Sequence, residues 1–201
     1  MNYKEAVKHI CRYLQGVKGQ GLTFQPTQEL QLNCYVDADF AGLWTHKNDQ
    51  DPVCVKSRTG YVFTLGGCPI QWSSKLQSDI ALSTTEAEYI ALSQAMRELL
   101  PLRQLLCKMV QKTQLVGGEN IAIKLTVFED NSGAIATTNA VKMTPRTKHI
   151  VVKYHFFKSH IGEESGIELV KIDTNLQKVD IFTKGLDPEK FMAIWKLMAG
   201  W

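Results

Sequence analysis

The segment ELQLNCYVD, residues 29–37, constrains the fold more than any other stretch of the chain. It alternates strictly, with Leu30, Leu32, Cys34 and Val36 on one side and Gln31, Asn33, Tyr35 and Asp37 on the other. That is the period of a half-buried strand. Such a strand needs neighbours in a sheet and a layer packed on its apolar side. The run then closes on YVDADFAG, residues 35–42, which places Asp37 and Asp39 at the end of an otherwise apolar stretch. A charge there is unfavourable unless something uses it.

Other segments supply the neighbours. TGYVFTLGG and PIQWSS, joined through Gly66-Gly67, read as two strands of a hairpin. STTEAEYIALSQAMRELLPLRQLLCKMV, residues 83–110, reads as a long helix with a bend expected at Pro101. IAIKLTVFED, residues 121–130, reads as a strand. Its core face carries Ile121, Ile123, Leu125 and Val127, and its other face Thr126, Phe128 and Asp130. NSGAIATTNA follows as a short helix capped by Asn131 or Ser132. Residues 148–164 read as helix, GIELVKI as a strand, NLQKVDIFTKGL as a helix capped by Asn175, and DPEKFMAIWKLMAGW as a last amphipathic helix. At the other end, residues 3–15 carry Ala6, Ile10, Tyr13 and Leu14 at helical spacing, and LWTHKNDQDPVCVKS, residues 43–57, is a polar loop. Three strands, a helix, a strand, helices, a strand and a helix make an α/β fold, a five-stranded mixed sheet with helices on both faces.

Composition narrows the function classes. At 201 residues the chain suits one domain with a short appendage. No apolar run approaches the ~20 residues of a membrane span, so no membrane partner is expected. The first residues, MNYKEAVKHICRYLQG, are amphipathic and lack the apolar centre of a secretory signal. A net charge of +3 permits a nucleic-acid partner without demanding one. Cys11, Cys34, Cys54, Cys68 and Cys107 are odd in number and scattered, with no C-x-x-C pair, which reads as buried reduced thiols in an intracellular protein.

The carboxylates can then be placed. Asp37 ends the first strand on its polar face, and Asp130 ends the fourth. If those strands are neighbours, the two acids lie close together. In the long helix, Ser83-Thr84-Thr85-Glu86 fits a capping box, which gives Glu86 a structural task. Glu88 falls on the buried stripe of Ala91, Leu92, Ala95 and Leu99, where a carboxylate is anomalous. Asp180, taken alone, reads as a solvated helix charge, and Asp39 as a turn or supporting residue. Ionised acids that converge on one sheet edge repel each other, and a divalent cation relieves that repulsion. Oxygen donors with no His or Cys nearby select Mg²⁺ or Mn²⁺ over zinc. Two such ions about 3.5–4 Å apart form the usual clamp for in-line attack on a phosphodiester.

The words YVDADFAG, SRTGYVFTLGGCPIQWSSKLQ, ALSTTEAEYIALSQA, EDNSGAI, RTKHIVVKYHF and VDIFTKGL occur in this order over roughly residues 30–187. In them the chain resembles the ribonuclease H domain of copia-type retrotransposon polyproteins. The resemblance implies a ribonuclease H-like fold over residues 28–187. It implies that residues 1–27 are a remnant of the connection to a reverse transcriptase, and that residues 188–201 form a C-terminal helical tail. It implies a D-E-D-D centre of Asp37, Glu88, Asp130 and Asp180, acting both as catalytic residues and as ligands of two Mg²⁺ or Mn²⁺ ions. The implied reaction is endonucleolytic cleavage of the RNA strand of an RNA–DNA hybrid, read through 2′-hydroxyls and groove width. Asn131, Ser132, Arg146, Lys148 and His149 are the candidate substrate contacts. The reverse transcriptase of the same polyprotein is the implied partner, and the cytoplasm or a virus-like particle the implied location. Val151 stands where the family commonly has an acid, Val179 where it has alanine, and the 43–57 loop is longer than typical. The alternative is a degenerate copy that keeps the fold as a nucleic-acid-binding or structural module. The cluster Lys142, Arg146, Lys148, His149, Lys153 and Lys158 reads equally as a phosphate track and as a solvated face, and Trp72 reads as core.

Overall fold

The computed structural model describes residues 3–27, 29, 31–113, 123–139, 155–162 and 165–200. Five strands, β1 (Leu32–Asp39), β2 (Arg58–Leu65), β3 (Cys68–Leu76), β4 (Leu125–Glu129) and β5 (Ile167–Lys171), form one sheet in the order β3-β2-β1-β4-β5. The first three pair antiparallel, while β1–β4 and β4–β5 are parallel. The expected mixed sheet is therefore present. Gly66 and Gly67 both have positive φ and turn β2 into β3, as the hairpin pattern requires. The described helices are α1 (Tyr3–Gly16), α2 (Thr84–Thr113), α3 (Ser132–Asn139), α4 (Asp180–Thr183) and α5 (Pro188–Ala199).

Two cores sandwich the sheet. On one face, Leu32, Cys34, Val36, Phe63, Leu125 and Val127 pack under Tyr89, Leu92, Met96 and Leu99 of α2. On the other, Tyr35, Val62, Val179 and Met198 are buried, with Phe128, Phe182 and Trp195 against them. This second core changes the reading of β1. The alternation predicts one wet face, yet Tyr35 and Asp37 are both buried. The cause is the cover supplied by α4 and α5, which a local pattern does not register.

The long helix is present as expected, and α2 continues through Pro101. Other elements depart from expectation in instructive ways. The helix expected after Asn175 splits in two. A 3₁₀ turn, Thr174–Leu176, is capped by Asp173, whose side chain accepts from the Asn175 amide, and α4 then spans only four residues. β4 is shorter than the apolar run that announces it. Trp72 is half exposed on the edge strand β3 rather than in the core. All five cysteines are free. Cys34, Cys54 and Cys68 are buried, but Cys11 is exposed, so burial does not extend to every thiol. Residues 155–160 form a 3₁₀ turn, and the rest of the helix expected over 148–164 lies almost entirely outside the described residues. Among the described residues no helix is long and apolar enough to cross a membrane.

One glycine fixes how α4 meets the sheet. Gly60 pairs with Asp37 across β1–β2. A Cβ on it would sit 2.6 Å from the Thr183 side chain and 3.1 Å from that of Val179. Its bare backbone lets α4 come down onto the strand beside Asp37. Gly60→Ala is expected to lower stability by about 1–3 kcal/mol, the usual cost of overpacking, in chemical denaturation. A variant as stable as the parent would show that α4 shifts without cost.

Candidate metal centre

The parallel register of β1 and β4 sets Tyr35 opposite Phe128. Two residues further along come Asp37, which lies within β1 rather than ending it as expected because the strand runs on to Asp39, and Asp130, one residue past the end of β4. α2 crosses this edge with its first turns. Its start is fixed by Ser83 Oγ, which accepts from the Glu86 amide at 3.2 Å, while Glu86 Oε2 accepts from the Leu82 amide at 2.8 Å. The reciprocal cap expected at Ser83–Glu86 therefore reaches back to Leu82, one residue further than a capping box. With Glu86 so engaged, Glu88 lands on the buried side, 6% exposed. Asp37, Glu88 and Asp130 each offer one carboxylate oxygen within 4.8 Å of the others. A cleft lined by these three residues, Asp39, Phe40, Thr84, Asn131 and Lys184 opens over them.

Asp180 does not belong to that trio. It is fully buried at the first position of α4. The link between them is Lys184, whose Nζ lies 3.0 Å from Asp37 Oδ1 and 3.2 Å from Asp180 Oδ1. Lys190, from α5, lies 2.8 Å from Asp180 Oδ2. The Thr183 hydroxyl donates to Asp37 Oδ2. Asp180 is thus buried rather than a solvated helix charge, and the two lysines are what make its burial tolerable.

Sequence reasoning passed over one carboxylate. Glu129 is fully buried, in phase with Ile123, Leu125 and Val127 on the α2 side of β4. The same argument that singles out Glu88, an acid in the register of a buried face, would have found it. Its Oε1 accepts from the Asn131 amide at 3.0 Å, while its Oε2 has no hydrogen-bond partner among the described residues. Glu88 Oε2 is likewise without one. Lys184 and Lys190 carry no comparable sequence signal. Only the i, i+4 spacing of Asp180 and Lys184 hints at a pair.

The remaining candidates divide. Asn131 caps α3, its Oδ1 accepting from the Gly133 and Ala134 amides at 2.8 and 3.1 Å, and it also lines the cleft. Ser132 is exposed and accepts from Lys171 Nζ at 2.6 Å. Arg146, Lys148 and His149 lie outside the described residues, as do Lys142, Val151 and Lys153. Asp39 lies in the wall of the cleft, consistent with a supporting place.

Five carboxyls and two ammoniums meet at this edge, and the imbalance shows in their titration. Burial, then the fields of Glu129, Asp37 and Asp130, push Glu88 up to about 11. Burial also raises Glu129 well above the carboxylate range, with Asp130 and Asp37 adding to it against the Asn131 hydrogen bond. Asp37 is raised by burial although Lys184 and Thr183 oppose it. Burial alone would lower Lys184, but Asp37 and Asp180 outweigh it and hold its proton more tightly than usual. Oxygen donors in excess of local positive charge, two of them buried without partners, suit a hard divalent cation.

Folding then depends on pH in a defined direction. Between the ordinary glutamate value of 4.5 and the folded value of about 11 for Glu88, the folded chain binds more protons than the unfolded one. Stability therefore falls as pH rises through that window. With chelator present, the thermal midpoint is expected to drop between about pH 6 and about pH 9. Mg²⁺ or Mn²⁺ should restore it, most strongly at the higher pH, and Glu88→Gln should flatten the slope. An unchanged slope in that variant would mean that Glu88 is not the group that titrates.

Comparison with known proteins adds homology. No family model matches the chain. Over 93% of its length it is 39% identical to the retrovirus-related Pol polyprotein from transposon TNT 1-94 of Nicotiana tabacum, and 32% identical to that from transposon RE1 of Arabidopsis thaliana. It spans only 13% and 12% of those relatives' own lengths. Among solved structures, a ribonuclease H1 isolated from compost by a metagenomic approach superposes with a TM-score of 0.50 at 18% identity, covering 76% of this chain and 92% of the other. The N-terminal RNase H domain of a Mycobacterium tuberculosis protein gives the same TM-score at 11% identity, over 84% and 98%. The chain has the ribonuclease H-like α/β fold, and its homologues are the retrovirus-related Pol polyproteins of copia-type transposons.

Proposed function

We propose that the chain is a metal-dependent endonuclease that cuts the RNA strand of RNA–DNA hybrids during reverse transcription of a retrotransposon. The observation that carries this reading is the meeting of Asp37, Glu88 and Asp130 within 4.8 Å at the edge of a ribonuclease H-like sheet. Asp37, Glu88 and Asp130 would hold Mg²⁺ or Mn²⁺, with Asp180 as the fourth acid of a D-E-D-D set. Two bound ions would supply activation of water and neutralisation of the leaving oxygen. The chain's own residues do the rest. β1 and β4 fix Asp37 and Asp130 side by side. α2 brings Glu88 over them, and Thr183 orients Asp37. The Thr174 hydroxyl donates to Asp130 Oδ2 at 3.0 Å and holds that carboxylate in place. Asn131 in the cleft, Ser132 beside it, and Arg146, Lys148 and His149 are the proposed contacts to the hybrid. A crystal structure of the compost ribonuclease H1 with an RNA/DNA hybrid lends the substrate class its support.

In this reading residues 1–27 are what remains of the connection to the reverse transcriptase, residues 28–187 are the nuclease domain, and residues 188–201 are its helical tail. The reverse transcriptase of the same polyprotein is the partner, and the work is done inside the cell, in the cytoplasm or a virus-like particle. One observation favours a second reading. Asp37 and Asp180 already share Lys184, so part of the acidic set is neutralised by the chain itself. A degenerate copy that binds nucleic acid without cutting it would look the same there.

A labelled hybrid incubated with the chain and Mg²⁺, Mn²⁺ or chelator separates the two. We expect metal-dependent cutting of the RNA strand, lost by at least 100-fold in Asp130→Asn and Glu88→Gln with the fold retained. Glu86→Gln should keep most activity, since its cap contributes only about 1 kcal/mol. Hybrid binding by a folded chain that never cuts would select the second reading.

A further inference from the structure

We propose that a second cavity, adjoining the carboxylate cleft, is a subsite for one backbone phosphate of the strand that is cut. The inference rests on the nuclease reading and extends it to residues that reading leaves idle. The cavity has a volume of about 320 Å³. Lys56 and Arg58, at the start of β2, form one side, and the residues that end α4 form the other. Asp39 and Lys184 line both this cavity and the cleft over Asp37, Glu88 and Asp130. A strand lying across the carboxylates therefore passes directly into it.

The charges in the cavity match a phosphodiester. Lys184 is committed to Asp37 and Asp180. Lys56 and Arg58 are half-buried, and among the described residues neither has a carboxylate within ion-pair distance. Asp39 also lines the space, but its carboxylate is folded back against Gly42, where it fills the volume a Cβ would take. Two cations facing one retracted carboxylate leave a net single positive charge, the complement of one phosphodiester.

One of the two cations is fixed in place, and the backbone that carries the other is anchored. Arg58 Nη1 donates to Ser74 Oγ at 3.3 Å, and Ser74 Oγ donates to the Phe182 carbonyl, which ties the guanidinium to α4. Between Lys56 and Arg58, the buried Ser57 accepts from the Ala41 amide at 3.3 Å, so the base of the 40–57 loop is closed beside Asp39. Cations restrained before binding lose less freedom when an anion arrives. The 43–57 loop thus gains a task, since it positions Lys56 at the wall of this cavity.

The test reads binding, with cutting blocked by Asp130→Asn in the full chain. Lys56→Gln and Arg58→Gln, each on that background, are expected to weaken binding of a fluorescent RNA–DNA hybrid by about 3- to 10-fold. The slope of log affinity against log salt should fall by about one contact. Lys56→Arg should restore it. Hybrids carrying one uncharged methylphosphonate, walked along the cut strand, should reveal one linkage near the cut whose neutralisation weakens the parent and costs Lys56→Gln distinctly less, the remainder being the share of Arg58. Among the described residues the Lys56 side chain makes no hydrogen bond or ion pair, so this variant decides the matter even if Arg58→Gln unfolds. Equal affinity and salt slope in Lys56→Gln, or penalties that add at every linkage, would overturn the subsite alone. Failure of the parent to bind hybrid at all would overturn the nuclease reading together with it.

Discussion

Five carboxyl groups crowd one edge of the sheet because β1 runs parallel to β4 and next to it. Antiparallel neighbours would have sent Asp37 and Asp130 to opposite ends. The parallel pairing forces them to the same end, and α2 then has only one way to cover the apolar face, with Glu88 over that edge. Packing of Leu92, Met96 and Leu99 holds α2 there against the repulsion of the acids beneath it. The apolar core stabilises what the centre destabilises. An unfavourable cluster of this kind persists only where the surrounding packing over-determines it.

The two faces of the sheet have different tasks. The α2 face is deep and continuous, built from the central strands and the longest helix. The opposite face is covered by α4, a helix of four residues, and by α5. This cover brings the positive charge. Thr183 and Lys184 come from α4 and the residue after it, and Lys190 from the first turn of α5, whose N-terminus is set by Pro188 and by Asp187 accepting from the Lys190 amide. Both lysines serve Asp180, and one of them also serves Asp37. Charge balance at the centre therefore depends on the thinner of the two layers.

Much of this was legible before any coordinates. The alternation in β1, the Gly-Gly hairpin and the anomaly of Glu88 on an apolar stripe are local patterns, and local patterns survive into the fold. Glu129 is legible by the same rule, since its parity sets it on the apolar face of β4, but the acid that follows it, Asp130, is the more conspicuous signal. The burial of both faces of β1 was not legible, because it depends on α4 and α5 returning from the far end of the chain. Asp180 shows the limit most clearly. Its surroundings are set by Lys184, which is four residues away, but also by Lys190 on the next helix and by Asp37 on a strand far back in sequence. No periodicity encodes that meeting, and only the likeness of VDIFTKGL to a family word marked the residue.

Gly60 carries a consequence for the order in which the chain assembles. The β1–β4 pairing joins Leu32 to Leu125, and α4 docks only on a surface that β1 and β2 have already made. Contacts so distant in sequence pay their loop-closure entropy before they return any stability, which slows folding. The lysines that moderate the acidic edge thus arrive after the acids have been brought together. The same four-residue helix seats Asp180 and Thr183 in burial against the sheet, so its docking is tied to the close approach at Gly60. The charge balance of the centre thus follows the closing of the sheet, and both depend on the absent side chain at Gly60.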